Sequence, residues 1–319
     1  MRLSKVAIVI PAYKSEYLTS TLQSLSNQTN QDFTIYIGDD CSPYDLKSIV
    51  NEFSGQLDIV YHRFEDNLGS ISLTRQWERC IDLTIEEWIW LFSDDDIVAE
   101  NAVQVFYEVY DPQSLLYKFN TQVIDASGSL HSSYSKFDHL NLGQITLNSD
   151  DFIKNRLACK GYRSFAVEYI FHRSLYEKFK FVDFPLAWGS DDATWLLYSL
   201  NNKKKFTILP ANVYWRYSGI NISSDLKTLA VVEQKLEAAK QYIEWVRGTS
   251  SQYQVEVSDD LLLRWLSVQA GSLSPKMHYN DFKKLTESAG ISHSSFKLWL
   301  SYVWTIKKNL FISILKGKK

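Results

Sequence analysis

The sequence predicts an α/β fold: a mostly parallel sheet flanked by helices, followed by a helical C-terminal region. Three observations carry this. Through the first hundred residues, short β-branched runs alternate with helix-period segments, the order expected of a parallel sheet with crossover helices. The first of these runs is continuously apolar, as a strand buried on both faces requires. After about Leu226 extended segments cease and helical periodicity takes over.

Lys5–Ile10 (KVAIVI) reads as the first strand, closed by Pro11, and Tyr17–Ser26 as a helix with Leu18, Leu22 and Leu25 on one face. Phe33–Ile37 is a second strand, and Tyr44–Phe53 a helix carrying Leu46, Ile49, Val50 and Phe53 together. Ile59–Phe64 is a third strand, Ile71–Leu83 a helix and Trp88–Phe92 (WIWLF) a fourth strand. Further on, Leu115–Asn120 and Val123–Asp125 are extended, with a turn at Ala126-Ser127-Gly128. Phe165–Phe171 is a strand, Ala193–Leu200 a helix, and Phe206–Leu209 and Val213–Tyr217 are extended. Helices are expected over Lys227–Val246, Asp259–Leu273, Tyr279–Ala289 and Phe296–Leu315. Two regions follow, 1–226 and 227–319.

Composition narrows the function. The 319 residues, 45% hydrophobic and 22% charged, are those of an ordinary globular protein. Ten Trp, 19 Tyr and 17 Phe supply flat faces suited both to cores and to stacking on bases and sugars. A net charge of −3 argues against a nucleic-acid partner, because phosphate neutralisation needs surplus Lys and Arg. Cys41, Cys80 and Cys159 lie far apart without CxxC spacing, which suits a reducing compartment and no zinc site. The apolar run Val6–Ile10 is too short for a signal-peptide core, and no run approaches the ~18 residues of a membrane span, so a cytoplasmic location is expected.

Three acidic clusters follow strand-like segments or precede a helix: Asp39-Asp40, Asp94-Asp95-Asp96 and Asp191-Asp192. Ligands of parallel α/β sheets bind beyond the carboxyl ends of the strands. Three adjacent carboxylates at such an end repel one another unless a cation neutralises them, and a hard divalent ion takes carboxylates together with substrate phosphates. A solvated acidic loop is the competing reading. Asp39-Asp40 can accept the N3–H of a uracil or thymine with Tyr13 stacked on the base, or can be a turn, since Asp-Cys-Ser-Pro is turn chemistry. Asp191-Asp192 can cap the following helix, or one of the two can be a general base toward an acceptor hydroxyl. No GxGxxG, no GxxxxGK[ST] and no GxSxG is present, so phosphate handling falls to a carboxylate-held metal.

Together these pieces resemble the inverting glycosyltransferase family 2, with its GT-A fold. Val6–Leu25 (VAIVIPAYKSEYLTSTLQSL) looks like the family's first strand and helix. Gly38-Asp39-Asp40-Cys41-Ser42 is similar to its DDGS motif, with Cys41 where glycine is commoner. Asn67-Leu68-Gly69 followed by Thr74-Arg75 matches its NxG…AR segment, and Ser93-Asp94-Asp95-Asp96 stands where its metal-binding DxD lies. Asp191-Asp192 stands where its acidic pair supplies the base. The match covers roughly residues 5 to 224.

The resemblance implies a hexosyl-type transfer from a nucleotide-diphosphate sugar, with UDP the default nucleotide and Mn²⁺ or Mg²⁺ the cofactor. It implies that Pro11, Ala12 and Tyr13 line the base and that Asp40, beside Asp39, binds its N3–H. Asn67, Gly69, Arg75 and Asp94 join the nucleotide site, Asp95 is the principal metal ligand with Asp96, and Arg216 contacts the diphosphate or the acceptor. Asp192 is the base, with Asp191 beside it. Where many relatives place a histidine near the metal, this chain has Tyr217 and Ser218. The QxxRW motif of processive members is absent, which implies one sugar per acceptor visit. The acceptor is expected to be a glycan or lipid-linked hydroxyl in envelope polysaccharide synthesis.

Phe296–Lys319 combines many aromatic and aliphatic residues with six lysines and no acid. It suits either an interfacial helix on the inner face of an anionic membrane or a helix packed on the core with a basic end. Two rival functions remain: a nucleotidyltransferase, although Ala12-Tyr13-Lys14-Ser15 lacks that class's glycine-rich loop, and a non-catalytic carbohydrate-binding protein.

Overall fold

The computed structural model describes residues 5–131, 146–159, 164–219, 226 and 228–307. Among them run strands β1 (Val6–Ala12), β2 (Phe33–Asp39), β3 (Ile59–Arg63), β4 (Trp88–Leu91), β5 (Ile97–Val98), β6 (Leu116–Asp125), β7 (Thr146–Asn148), β8 (Tyr169–His172) and β9 (Lys205–Tyr217). Helices α1 (Leu18–Ser26), α2 (Leu46–Asn51), α3 (Leu73–Ile81), α4 (Ala102–Val109), α5 (Ser149–Leu157), α6 (Arg173–Phe179) and α7 (Ser190–Leu200) are interleaved with them. Helices α8 (Leu229–Tyr253), α9 (Asp259–Leu273), α10 (Tyr279–Ser288) and α11 (Ser295–Ser301) follow.

The strands form one sheet in the order β3-β2-β1-β4-β8-β6-β9-β5, with β7 also on β9. β3, β2, β1 and β4 are parallel, as the alternation of periods requires; β8 lies antiparallel to β4 and β6, and β6 and β9 are again parallel. Alternate residues of β1 feed two cores. Val6, Ile8 and Ile10 pack with Leu18, Leu22 and Phe106, whereas Ala7 and Val9 face the core that holds Trp195, Tyr242 and Leu266. The helices beyond Leu226 therefore complete one face of the sheet and share its core.

Two strands run through a proline. β1 continues through Pro11 to Ala12 because its pairing with β4 has ended at Val9, so one edge of the strand carries no ladder for the missing N–H to break. β9 passes Pro210 because the register against β6 shifts there, from Phe119↔Leu209 to Asn120↔Asn212. Helices α4, α5 and α6 and the short β5 have no counterpart in the sequence-based reading. Helix α7 starts three residues earlier than expected, which puts Asp191 and Asp192 inside its first turn. Of the tail, α11 and a π-helical turn at Tyr302–Lys307 are described, and residues 308–319 lie outside the described residues.

Candidate active site

The acidic loop after β4 is tied to the end of β1. Asp94 is buried, and its Oδ2 accepts the backbone N–H groups of Tyr13 at 2.9 Å and Lys14 at 2.8 Å. Burial, reinforced by Asp95, pushes the Asp94 carboxyl up to about 6. Asp95 accepts from the Ser93 hydroxyl and is ion-paired with the Lys14 ammonium at 3.2 Å. Asp96 accepts the Arg216 N–H at 2.7 Å, and burial followed by the Asp95 charge raises its carboxyl well above the usual range.

Arg216 was expected at a diphosphate or an acceptor. In the structure it is buried, with Nε donating to the Asp95 carbonyl at 2.7 Å, Nη1 to the carbonyls of Asp125 and Ala126 at 3.3 Å, and its plane over the Tyr17 ring at 4.4 Å. Those contacts tie Arg216 to the acidic loop.

Asp39 and Asp40 hold the neighbouring loops. Asp39, at the end of β2, accepts from the Ser42 N–H at 2.7 Å, from Arg63 at 2.8 Å and from the Tyr61 hydroxyl. Asp40 accepts from the N–H groups of Leu68 at 2.8 Å and Gly69 at 2.9 Å, and from Arg79 at 2.6 Å. A carboxylate has about four acceptor positions, and these donors take three of Asp40's. Burial pushes its carboxyl up, opposed by those three donors.

Glycine is required at 69: a Cβ there would stand 2.5 Å from Asp40 Oδ2. Cys41 occupies the left-handed region with φ +52°, which accounts for glycine being the commoner residue in this motif. Tyr13 is 39% exposed, and its carbonyl accepts from the Ser42 hydroxyl at 2.6 Å. Pro11 and Ala12 lie opposite Gly38 and Asp39 in the β1–β2 register, and Asn67 Oδ1 closes its turn by accepting from the Ser70 N–H at 2.9 Å.

The third cluster opens α7. Asp183, in the loop before α7, accepts from the Thr74 hydroxyl at 2.6 Å and from Ser72, the N-cap of α3, at 3.2 Å. Arg75 projects from the same turn into solvent. Asp192 is buried and grips Arg156 of α5: Oδ2 accepts from Nε at 3.0 Å and from Nη2. Its Oδ1 is buried without a protein partner.

Asp191 is half-buried, with Oδ1 accepting the Asp192 N–H at 2.9 Å. Burial and then the Asp192 charge push its carboxyl up to about 7. Tyr242 of α8 packs behind the pair, and a Cβ on Gly189 would meet its ring at 3.2 Å.

Direct hydrogen bonds thus join the segments 12–14, 39–42, 67–69, 94–96 and 216 into one site, with Asp191–Asp192 anchored separately through Arg156 of α5. Sequence reasoning missed Lys14, Arg63, Arg79, Arg156 and Asp183. Lys14 adjoins a motif residue and was within reach; Arg156 sits on a helix that no periodicity announced. Asp94, Asp95 and Asp96 are consecutive on one loop with the Lys14 ammonium against Asp95, and carboxylates of this kind suit a hard cation whose remaining ligands are phosphate oxygens. Among the described residues no group of three or more His, Cys, Asp or Glu side chains forms a self-sufficient metal cage.

Comparison with known proteins bears on family and fold. Residues 7–170, just over half of the chain, match the model of glycosyl transferase family 2. Abequosyltransferase RfbV of Salmonella typhimurium is 27% identical over 117 residues, 35% of this chain and 34% of that protein. Glycosyltransferase GlyG of Streptococcus pneumoniae is 27% identical over 104 residues, 32% of this chain and 34% of that protein. The matched stretch spans about a third of either relative. The fold is shared with S. aureus TarS 1-349 in complex with UDP-GlcNAc, at TM-score 0.64 and 15% identity over 96% of this chain and 89% of that one. The same TarS fragment without that ligand gives TM-score 0.61. The chain has the GT-A fold and belongs to glycosyl transferase family 2.

Proposed function

We propose that the protein transfers a sugar, of hexosyl type, from a nucleotide diphosphate to an acceptor hydroxyl with inversion at the anomeric carbon. The observation that carries the reading is the convergence of Tyr13, Asp40, Gly69 and Asp94–Asp96 at the ends of β1, β2 and β4. Tyr13 offers a face for the base and Asp40 its remaining acceptor position for N3–H, which favours UDP and admits dTDP. Asp95 and Asp96 would hold Mn²⁺ or Mg²⁺, with Asp94 fixing their loop. The metal supplies charge stabilisation on the departing diphosphate. Arg75, exposed on the first turn of α3, is available to the donor, and Asn67 shapes the turn before it.

Asp192 is the proposed proton acceptor. Arg156 orients one of its oxygens and leaves Oδ1 for the acceptor hydroxyl, the arrangement of a base positioned by a third group. Asp191 stands beside Asp192 on the first turn of α7. The attacking oxygen loses its proton to that pair while the glycosidic bond to phosphate breaks, and the nucleoside diphosphate leaves. A panel of UDP-, dTDP-, GDP- and CDP-sugars tests this. One nucleotide should support enzyme-dependent release of nucleoside diphosphate that is lost in Asp192→Asn; release unchanged in that variant rejects the assignment.

The acceptor is proposed to be a glycan or lipid-linked hydroxyl presented at the inner face of the membrane. Leu298, Tyr302 and Ile306 pack inward, whereas Phe296, Trp299 and Trp304 are 68%, 50% and 69% exposed. Exposed aromatics beside a lysine-rich terminus suit an anionic lipid surface. No helix of the described residues is long and apolar enough to cross a membrane. Flotation with phosphatidylglycerol vesicles, weakened in Trp299→Ser/Trp304→Ser, supports the contact; equal flotation of variant and parent rejects it.

A further inference from the structure

The carboxylates of the acidic loop are held in two different ways. Asp94 Oδ2 accepts the Tyr13 and Lys14 N–H groups at 2.9 and 2.8 Å, and Asp96 Oδ1 accepts the Arg216 N–H at 2.7 Å. Such backbone donors leave only if the chain after β1 or within β9 moves. Asp95 is held by side chains: Oδ1 accepts from the Ser93 hydroxyl, and Oδ2 accepts from the Lys14 ammonium at 3.2 Å. These two partners can turn away while the loop stays in place.

Lys14 is the partner free to swing. Its backbone N–H is fixed on Asp94, so the root of the side chain is pinned beside the loop. The side chain itself is 29% exposed, against 6% for that of Asp95, and it carries a compact ammonium on a flexible four-carbon stem. Arg216 has no such freedom. It is buried, and its guanidinium donates to the backbone carbonyls of Asp95, Asp125 and Ala126. An ammonium and a divalent ion on one carboxylate repel each other. The Lys14–Asp95 pair and a metal on Asp95 are therefore alternatives, and a diphosphate offers the released ammonium new acceptors, since lysine binds phosphate as a point charge.

We infer that Lys14 is a displaceable counter-ion of the donor site: it neutralises Asp95 until a sugar nucleotide arrives with its metal, and then passes to the diphosphate. The inference rests on the reading of Asp95 as a metal ligand in a sugar-nucleotide site. Lys14 then opposes metal binding by the protein alone and favours metal and nucleotide together. The two ligands bind cooperatively, and by linkage each strengthens the other by the same factor.

Titration of the whole chain with Mn²⁺, read by the paramagnetic resonance signal of free Mn²⁺ with and without UDP or dTDP, tests this without any turnover. Lys14→Met should bind Mn²⁺ alone about tenfold or more tightly than the parent, the order one removed charge produces beside a carboxylate. The nucleotide should strengthen Mn²⁺ binding several-fold less in that variant than in the parent. Lys14→Gln keeps a hydrogen-bond donor and loses the charge; it should behave the same way and serves where the methionine variant fails to fold. Both effects should vanish in the Asp95→Ala background. Mn²⁺ binding no tighter than the parent's, a nucleotide effect of undiminished size, or a gain that persists with Asp95→Ala overturns the inference. A parent chain that binds neither UDP nor dTDP, with or without Mn²⁺, instead overturns the reading beneath it.

Discussion

Replacing Arg156 by methionine takes away the clamp on Asp192 and keeps much of the side chain's apolar length. In the structure the guanidinium gives Asp192 Oδ2 two donors, and Oδ1 has none. The variant would therefore leave a carboxylate that is only 5% exposed without a side-chain donor. Charge-assisted hydrogen bonds contribute about 1.5–3 kcal/mol each, and breaking a buried pair by removing one partner costs about 3–5 kcal/mol. Arg156 itself is 21% exposed, so water that enters beside the shorter side chain reduces the loss, and about 3 kcal/mol is expected. Urea denaturation of the parent, Arg156→Met, Asp192→Asn and the double variant closes a cycle. Arg156→Met should be the least stable, the double variant should recover much of the loss, and the coupling should exceed about 2 kcal/mol. An Arg156→Met protein within about 0.5 kcal/mol of the parent would refute the argument that Arg156 is what holds Asp192.

Three further outcomes follow from the same geometry. Gly69→Ala places a Cβ 2.5 Å from Asp40 Oδ2 and must push the Leu68–Gly69 donors off that carboxylate, so the variant should lose about 2–3 kcal/mol in thermal unfolding and bind nucleotide more weakly. Asp191 carries a carboxyl raised to about 7 by burial and by Asp192. Protonated below that pH, the pair is a poorer acceptor, so transfer should fall as pH drops through about 7. Asp191→Asn removes the like charge and should move that limb to lower pH with a smaller maximal rate. Stability gives the complementary sign: a carboxyl whose folded value is raised is favoured while protonated, so its contribution is lost as pH rises from about 4 toward 7. Asp191→Asn should flatten that part of the stability–pH curve measured by thermal melts.

What the sequence disclosed depended on whether the signal was local. Three of the first four strands were legible because Val6–Ile10, Phe33–Ile37 and Trp88–Leu91 are apolar runs that feed two cores. Helices α5 and α6 carry mixed faces that no period singles out, and Arg156 was hidden with the first of them. β6 and β9 were read as broken because Pro210 and the polar residues near Asn120 interrupt them, whereas a register shift lets both continue. The acidic residues were found by their place after strands. Their partners Arg79, Arg156 and Arg216 come from 39, 36 and 120 positions away, a distance over which charge pattern carries no information. Asp94 and Arg216 illustrate the limit, since residue type gave no sign that both also hold the acidic loop, Asp94 through the Tyr13 and Lys14 N–H groups and Arg216 through the Asp95 carbonyl.

The central claim is a sugar-nucleotide site built on Asp95, and calorimetric titration with UDP, dTDP, GDP and CDP, each with Mn²⁺ and with a chelator, tests it most directly. The account predicts saturable, metal-dependent binding of UDP or dTDP by the parent chain and its loss in Asp95→Ala, with the variant's thermal melt unchanged within a few degrees. Binding of none of the four nucleotides, or binding that survives both the chelator and Asp95→Ala, would contradict it.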